Sequence, residues 1–270
     1  MPLRIVQQGQ GNPRQLVVLY LVGSPMDPEL RAALGPDPAI IAYDDPKGEP
    51  LPTTMSHVTT KSPVNVSDVI LVGYSAGCQA VRRELMAGHD VAGVVAIDGT
   101  HASLPPLQWQ LDVWRDYAEK ARRGERLFVA TCTQNTYVET DLPKAQRYSA
   151  TLSILRQVTG FRIIPSETPA GEHDGALHVY GYASEKTDKM AHARQQTVVL
   201  PQMLARYVKP WLEAALRAFP GQVPPQQEAH SSVLTPEERA RVEQAIALSF
   251  HKLTRMISEA NADEEPVPVG

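Results

Sequence analysis

The chain has 270 residues, 43% of them hydrophobic and 21% charged, an ordinary globular balance with material for one large α/β domain or two small ones. A formal net charge of −4 gives no electrostatic reason to expect a nucleic-acid partner, and no apolar run reaches the length that spans a membrane. Cys78 and Cys132 read as buried small side chains rather than a disulfide, and residues 1–8 lack the apolar core of a signal peptide. A cytoplasmic protein is therefore expected, with lysis or particle assembly as routes outward that need no signal.

Residues 3–7 form a short edge strand, and residues 16–22 a continuous apolar strand, the pattern of a strand buried on both faces. The second ends in Gly23-Ser24-Pro25. A short helix over 28–34 stops at Gly35-Pro36, and a strand over 39–43 follows. Residues 46–67, rich in Pro, Gly, Thr and Ser, read as loop with at most one weak turn of helix. The apolar run Val69-Ile70-Leu71-Val72 leads into Gly73-Tyr74-Ser75-Ala76-Gly77, then a helix over 79–86 that stops at Gly88. A buried strand over 91–97 ends at Asp98-Gly99. A helix over 107–123 places Leu111, Trp114, Ala118 and Ala121 on one stripe. There follow a strand over 127–131, a helix over 143–158 closed by Gly160, a strand over 161–164, a polar turn at 171–175 and an alternating strand over 176–182. Asp188 is placed to cap a last helix through Met190, Val198 and Val199, which Pro201 and Pro210 kink or restart and which ends near 219–221.

Buried strands alternating with helices predict an α/β fold over residues 1–220, a doubly wound, mostly parallel sheet covered on both faces. Residues 221–234, with Pro224-Pro225-Gln226-Gln227, read as a linker. Residues 235–260 read as an amphipathic helix: Thr235 caps it, Pro236 takes the first position and Glu238 closes a capping box. Its stripe of Val242, Ile246, Leu248, Phe250, Leu253 and Ile257 needs cover from its own domain, a second copy or a partner. Residues 261–270 read as a disordered acidic tail.

The stretch from Val69 to Met86 carries the chemistry. A strand, a sharp Gly-x-Ser-x-Gly turn and a helix would set Ser75 at the sheet edge with helix N–H groups aimed at developing negative charge. The plainer alternative is a strand–helix corner that happens to hold a serine. With Gly73-Tyr74-Ser75-Ala76-Gly77 inside an alternating β/α chain, residues 15–220 resemble the α/β-hydrolase superfamily. More narrowly, Asp98-Gly99-Thr100-His101 with Ala191-His192-Ala193-Arg194-Gln195 looks like patterns in phage-related hydrolases. The superfamily resemblance implies the α/β-hydrolase fold, to which the helix over 235–260 is an appendage, with Ser75 as nucleophile, followed along the chain by an acid and then a histidine base.

For the base, His89 lies at the far end of the elbow helix and His101 precedes the implied order, leaving His192, then His178, then His173. His192 is preferred because a helix N-terminus disfavours imidazolium and keeps the ring able to accept a proton. For the acid, the common superfamily position after the strand over 127–131 offers nothing before Glu139 and Asp141. Asp98, at the C-terminal end of the preceding strand, is preferred. The implied oxyanion donors are the backbone N–H groups of Ala76 and Ser24. A metal held by His101, His173, Asp174, His178 and His192 is disfavoured by the lack of paired ligand spacing, so neither metal nor cofactor is expected. The expectation is a serine esterase acting on an ester of unknown size through Ser75, His192 and Asp98. An amidase or peptidase on the same residues, and a non-enzymatic scaffold or particle component, are the alternatives.

Overall fold

The structure, a computed structural model, describes residues 3–10, 14–21, 26–61, 66–135, 148–185 and 189–218. The chain divides into two units, Met1–His230 and Ser231–Gly270, and every described residue belongs to the first. The linker, the helix over 235–260 and the acidic tail lie outside the described residues.

Eight strands build one sheet. They are β1 (Arg4–Gln7), β2 (Arg14–Tyr20), β3 (Ala39–Tyr43), β4 (Val66–Tyr74), β5 (Gly93–Ile97), β7 (Leu127–Thr133), β9 (Glu172–Asp174) and β10 (Leu177–Tyr182), in the order β1-β3-β2-β4-β5-β7-β10-β9. The six from β3 to β10 run parallel, and an antiparallel strand closes each edge. A pair of two-residue strands, β6 (Ala102–Ser103) and β8 (Tyr148–Ser149), stands apart. This is the doubly wound, mostly parallel sheet the alternating pattern predicts.

The central strands are apolar on both faces because helices cover both. Along β2, Leu16, Val18 and Tyr20 enter one core with α3 (Gly77–Met86), α4 (Gln108–Arg122) and α5 (Thr151–Thr159). Val17, Leu19 and Leu21 enter the other with α1 (Asp27–Leu34) and the last helical run. On the first face, fully buried Trp114 stacks on Phe128 with ring centroids 5.9 Å apart, and Tyr117 meets the same ring edge-on at 5.7 Å. Strand order reverses between β2 and β4, since the chain goes from β2 outward to β3 and then returns to the other side. The carboxyl ends of strands beside such a reversal are where open α/β sheets hold their sites.

Three local expectations are corrected. Residues 46–67 are not mainly loop: α2 spans Leu51–Lys61. Its first turn is held by distant groups, since the Glu84 carboxylate accepts the Leu51 N–H at 3.0 Å and the Thr54 hydroxyl bonds the Tyr43 hydroxyl at 2.6 Å. A carboxylate at a helix N-terminus favours helix where Thr-rich propensity does not. Residues 161–164 are not a strand. Ile163 has φ +41°, Arg156 donates to the Arg162 and Ile163 carbonyls at 2.8 and 2.7 Å, and Glu172 accepts both of their N–H groups. Those backbone groups are satisfied by side chains instead of a ladder, and the edge is supplied by β9, within the stretch read as turn. Third, α5 begins at Thr151, and Tyr148–Ser149 is strand rather than helix.

The last helical run neither stops nor restarts at its prolines. It passes from α6 (Lys189–Arg194) through a π-helical turn Gln195–Val199 to α7 (Leu200–Met203), then through a second π turn Leu204–Val208 to α8 (Lys209–Ala218). Each π turn ends two residues before a proline, Pro201 or Pro210. A proline ring crowds the carbonyl four residues back and offers no N–H, and the wider turn accommodates both defects.

Candidate active site

The site lies at the carboxyl ends of β4, β5 and β7. After β4 the chain reverses into α3 within two residues. Ser75 sits at φ +53°, a left-handed conformation that costs a non-glycine residue on the order of 1–2 kcal/mol. It is held from both sides: the Ser75 N–H donates to the Ile97 carbonyl at 2.9 Å, and its own carbonyl accepts the Cys78 N–H at 3.1 Å. The turn can be this tight because Gly77 lies against β2. A Cβ there would come within 2.8 Å of the Tyr20 carbonyl carbon and closer still to its oxygen. Ala76, the residue after Ser75, is buried at the N-terminus of α3.

Asp98 ends β5 in the same strained region, with φ +42°, and is 1% exposed. A buried carboxylate needs donors, and it has three. The Thr133 N–H reaches Oδ1 at 2.9 Å, the Thr133 hydroxyl reaches Oδ2 at 2.8 Å, and His192 Nδ1 lies 2.7 Å from Oδ2. The opposite ring nitrogen, His192 Nε2, lies 2.9 Å from Ser75 Oγ. With Asp98 acceptor-only, Nδ1 carries the hydrogen, so Nε2 presents its lone pair to the serine hydroxyl. Residues 75, 98 and 192, from three separate elements, thus form one hydrogen-bonded line.

The surroundings fix that line. Tyr74 lies over the His192 ring with centroids 4.9 Å apart, and its hydroxyl donates to the His192 carbonyl at 3.0 Å. One turn beyond His192, Gln195 Oε1 accepts the Thr131 hydroxyl at 2.8 Å, tying the helix to the end of β7. From α3, Gln79 Nε2 donates to the Gly99 and His101 carbonyls at 3.0 and 3.3 Å, which holds the loop that follows Asp98. Burial, with Arg82 and His192 nearby, pushes the His101 imidazole down to about 4, so it brings no second positive charge to the site at neutral pH. Burial likewise pushes the Cys78 thiol up, so this neighbour of the turn stays protonated.

His178 and His173 do not join this line. They face each other where β10 begins, at the end of the sheet away from the site. Ser24, Glu139 and Asp141 lie outside the described residues. Thr133 and Gln79 were not singled out in the sequence, where a strand-end threonine or a helix glutamine carries no distinguishing signal, and Tyr74 and Gln195 stood there only inside quoted motifs, with no role of their own. A groove of about 1140 Å³ lies between the last helical run, at Ala191, Gln195 and Arg206, and the end of β10, at Tyr180 and Tyr182, and Ser75 is not among its walls. Among the described residues, no group of three or more His, Cys, Asp or Glu side chains could hold a metal ion, and no helix is long and apolar enough to cross a membrane.

No family model matches the chain, and no curated protein sequence matches it significantly. Among solved structures, it is similar to TT1662 from Thermus thermophilus at 15% identity and TM-score 0.40, covering 79% of this chain and 99% of that one. It is similar to esterase B from Lactobacillus rhamnosis, solved with a tributyrin phosphonate inhibitor, at 10% identity and TM-score 0.41, covering 78% and 80%. Est1E from Butyrivibrio proteoclasticus gives 7% identity and TM-score 0.41, covering 78% and 93%. Likeness at this level assigns no residue a role.

Proposed function

We propose that the chain is a serine hydrolase of the α/β-hydrolase type that cleaves a carboxylic ester through an acyl-enzyme. The observation that carries this reading is the line Asp98–His192–Ser75, with 2.7 Å and 2.9 Å between its polar atoms. A serine hydroxyl is a weak nucleophile at neutral pH and needs an adjacent base. His192 Nε2 takes the Ser75 proton as Oγ attacks the substrate carbonyl, and Asp98 holds the ring and stabilises the imidazolium that forms. The Ala76 N–H, at the start of α3, is a donor to the oxyanion, and Ser24 is proposed as the source of the second. His192 then returns the proton to the leaving alkoxide, and water, activated by the same nitrogen, releases the acid.

Strain at two adjacent strand ends, Ser75 and Asp98, supports the reading, because strained backbone persists where surrounding structure over-determines it, commonly at reactive centres. The test uses a fluorophosphonate probe and p-nitrophenyl esters of increasing chain length. The parent protein takes up one equivalent of probe on Ser75, and Ser75→Ala protein takes up none. Equal labelling of both proteins overturns the assignment.

A further inference from the structure

A second cluster of chemistry-bearing side chains lies on the hairpin at the sheet edge. β9 and β10 pair antiparallel across a tight turn, and their register sets His173 directly opposite His178. The turn is rigid. Gly175 has φ +58° and packs against the Arg122 backbone, the Ala176 N–H donates to the Ala121 carbonyl at 2.9 Å, and Arg122 pairs with Asp174 at 3.1 Å. The two imidazoles meet Nδ1 to Nδ1 at 3.0 Å. The His178 ring stacks on Tyr207 with centroids 4.1 Å apart. The other nitrogen of His173, Nε2, lies 3.4 Å from the Tyr180 hydroxyl, which bonds the Tyr207 hydroxyl in turn.

We propose that His173 and His178 form a two-imidazole site for a divalent transition metal ion of the copper or nickel class, with water completing its coordination.

Imidazole nitrogen suits these ions, whereas the oxygen-seeking ions Mg²⁺ and Ca²⁺ find no carboxylate cage here. The rigid hairpin holds the two nitrogens close together, so an ion that takes both has only to turn the rings off their hydrogen-bonded line. The Tyr180 hydroxyl can accept the His173 Nε2–H, which leaves Nδ1 with its lone pair toward the partner ring, the outer-shell arrangement common to metal-binding histidines. In the metal-free pair, His178 Nδ1 then donates to His173 Nδ1. The ion replaces that hydrogen, which moves to His178 Nε2, so no proton leaves the pair. His173 is exposed, which gives the ion a way in and room for water ligands.

Among divalent ions of the first transition row, imidazole nitrogen holds Cu²⁺ most tightly, with Ni²⁺ and Zn²⁺ behind it, and that order selects the class of ion. The Arg206 guanidinium, over the Tyr180 and Tyr207 rings, opposes the ion's charge and makes the site weaker than an isolated pair.

The site is independent of the hydrolase reading, and so is its test. Tag-free full-length protein at pH 7.5 is titrated with Cu²⁺, followed by calorimetry and electron paramagnetic resonance. One equivalent should bind with a signal from two imidazole nitrogens, more tightly than Zn²⁺. His173→Ala, at an exposed position, should fold as the parent does and bind at least about tenfold more weakly. His178→Gln, checked for fold by circular dichroism, should behave likewise, while His192→Ala should bind like the parent. Undiminished binding by His173→Ala, or loss of the tight equivalent in His192→Ala, overturns the site. Tighter binding of Zn²⁺ than of Cu²⁺ overturns the choice of ion.

Discussion

Replacing Asp98 by Asn tests the reaction geometry with the least change in shape. In the parent, Oδ1 accepts the Thr133 N–H, and Oδ2 accepts both the Thr133 hydroxyl and His192 Nδ1–H. The Thr133 N–H is a fixed, buried donor, so the remaining oxygen of the Asp98→Asn side chain must stay on it. The amide NH₂ then faces the other two partners. The Thr133 hydroxyl can rotate to accept. His192 Nδ1 can accept only if it carries no hydrogen, which places the hydrogen on Nε2, 2.9 Å from Ser75 Oγ. Every buried polar group remains paired, so the fold should hold, but the ring can no longer take the serine proton. A wrong tautomer in a Ser-His-Asp arrangement costs about 10⁴ in kcat, or roughly 5.5 kcal/mol of transition-state stabilisation. The assay is the initial rate of p-nitrophenyl ester hydrolysis beside the rate of fluorophosphonate labelling, with a thermal melt as the control for folding. Activity within tenfold of the parent at an unchanged melting temperature would refute the role given to Asp98.

Two further outcomes follow from packing and charge. Gly77→Ala drives a methyl group into the Tyr20 carbonyl of β2. Backbone cannot move aside there as a flexible side chain could, so urea unfolding should show a loss of about 3 kcal/mol or more, and a near-neutral result would contradict the close approach. Acid should destabilise the fold through His101 and His178, both held at about 4 in the folded protein against an ordinary value of about 6.5. Their pKa values are depressed, so the stability they contribute is complete above pH 6.5 and falls away as pH drops toward 4. Because both rings are partly exposed, each accounts for on the order of 1–2 kcal/mol. Urea midpoints between pH 7.5 and 4 should therefore fall less steeply in the His101→Gln, His178→Phe double variant, and an identical slope refutes the effect.

The sequence by itself determined what depends on neighbours along the chain. β-branched apolar runs ended by Gly or Asp marked β2, β3, β4 and β5, and the apolar run Leu127–Thr131 marked β7, because a strand covered on both faces has no polar face to show. The turn at Ser75 was legible for the same reason, being a local strand-to-helix reversal with glycines on either side. Tertiary structure decided what depends on register and on contacts across the sheet. The threonine-rich stretch of α2 is helical because Glu84 and Tyr43 reach it from elsewhere. Ile163 leaves the sheet because Glu172 and Arg156 satisfy its backbone. His173 and His178 face each other only once a hairpin sets their register, and no spacing rule announces that pair. For the reaction line, sequence could single out Ser75, Asp98 and His192 with rivals, but His192 stands 94 residues from Asp98 and 117 from Ser75. Distances across such separations are set by strand order and by the path of the last helix. Thr133, the other partner of Asp98, becomes visible only when β7 is laid beside β5.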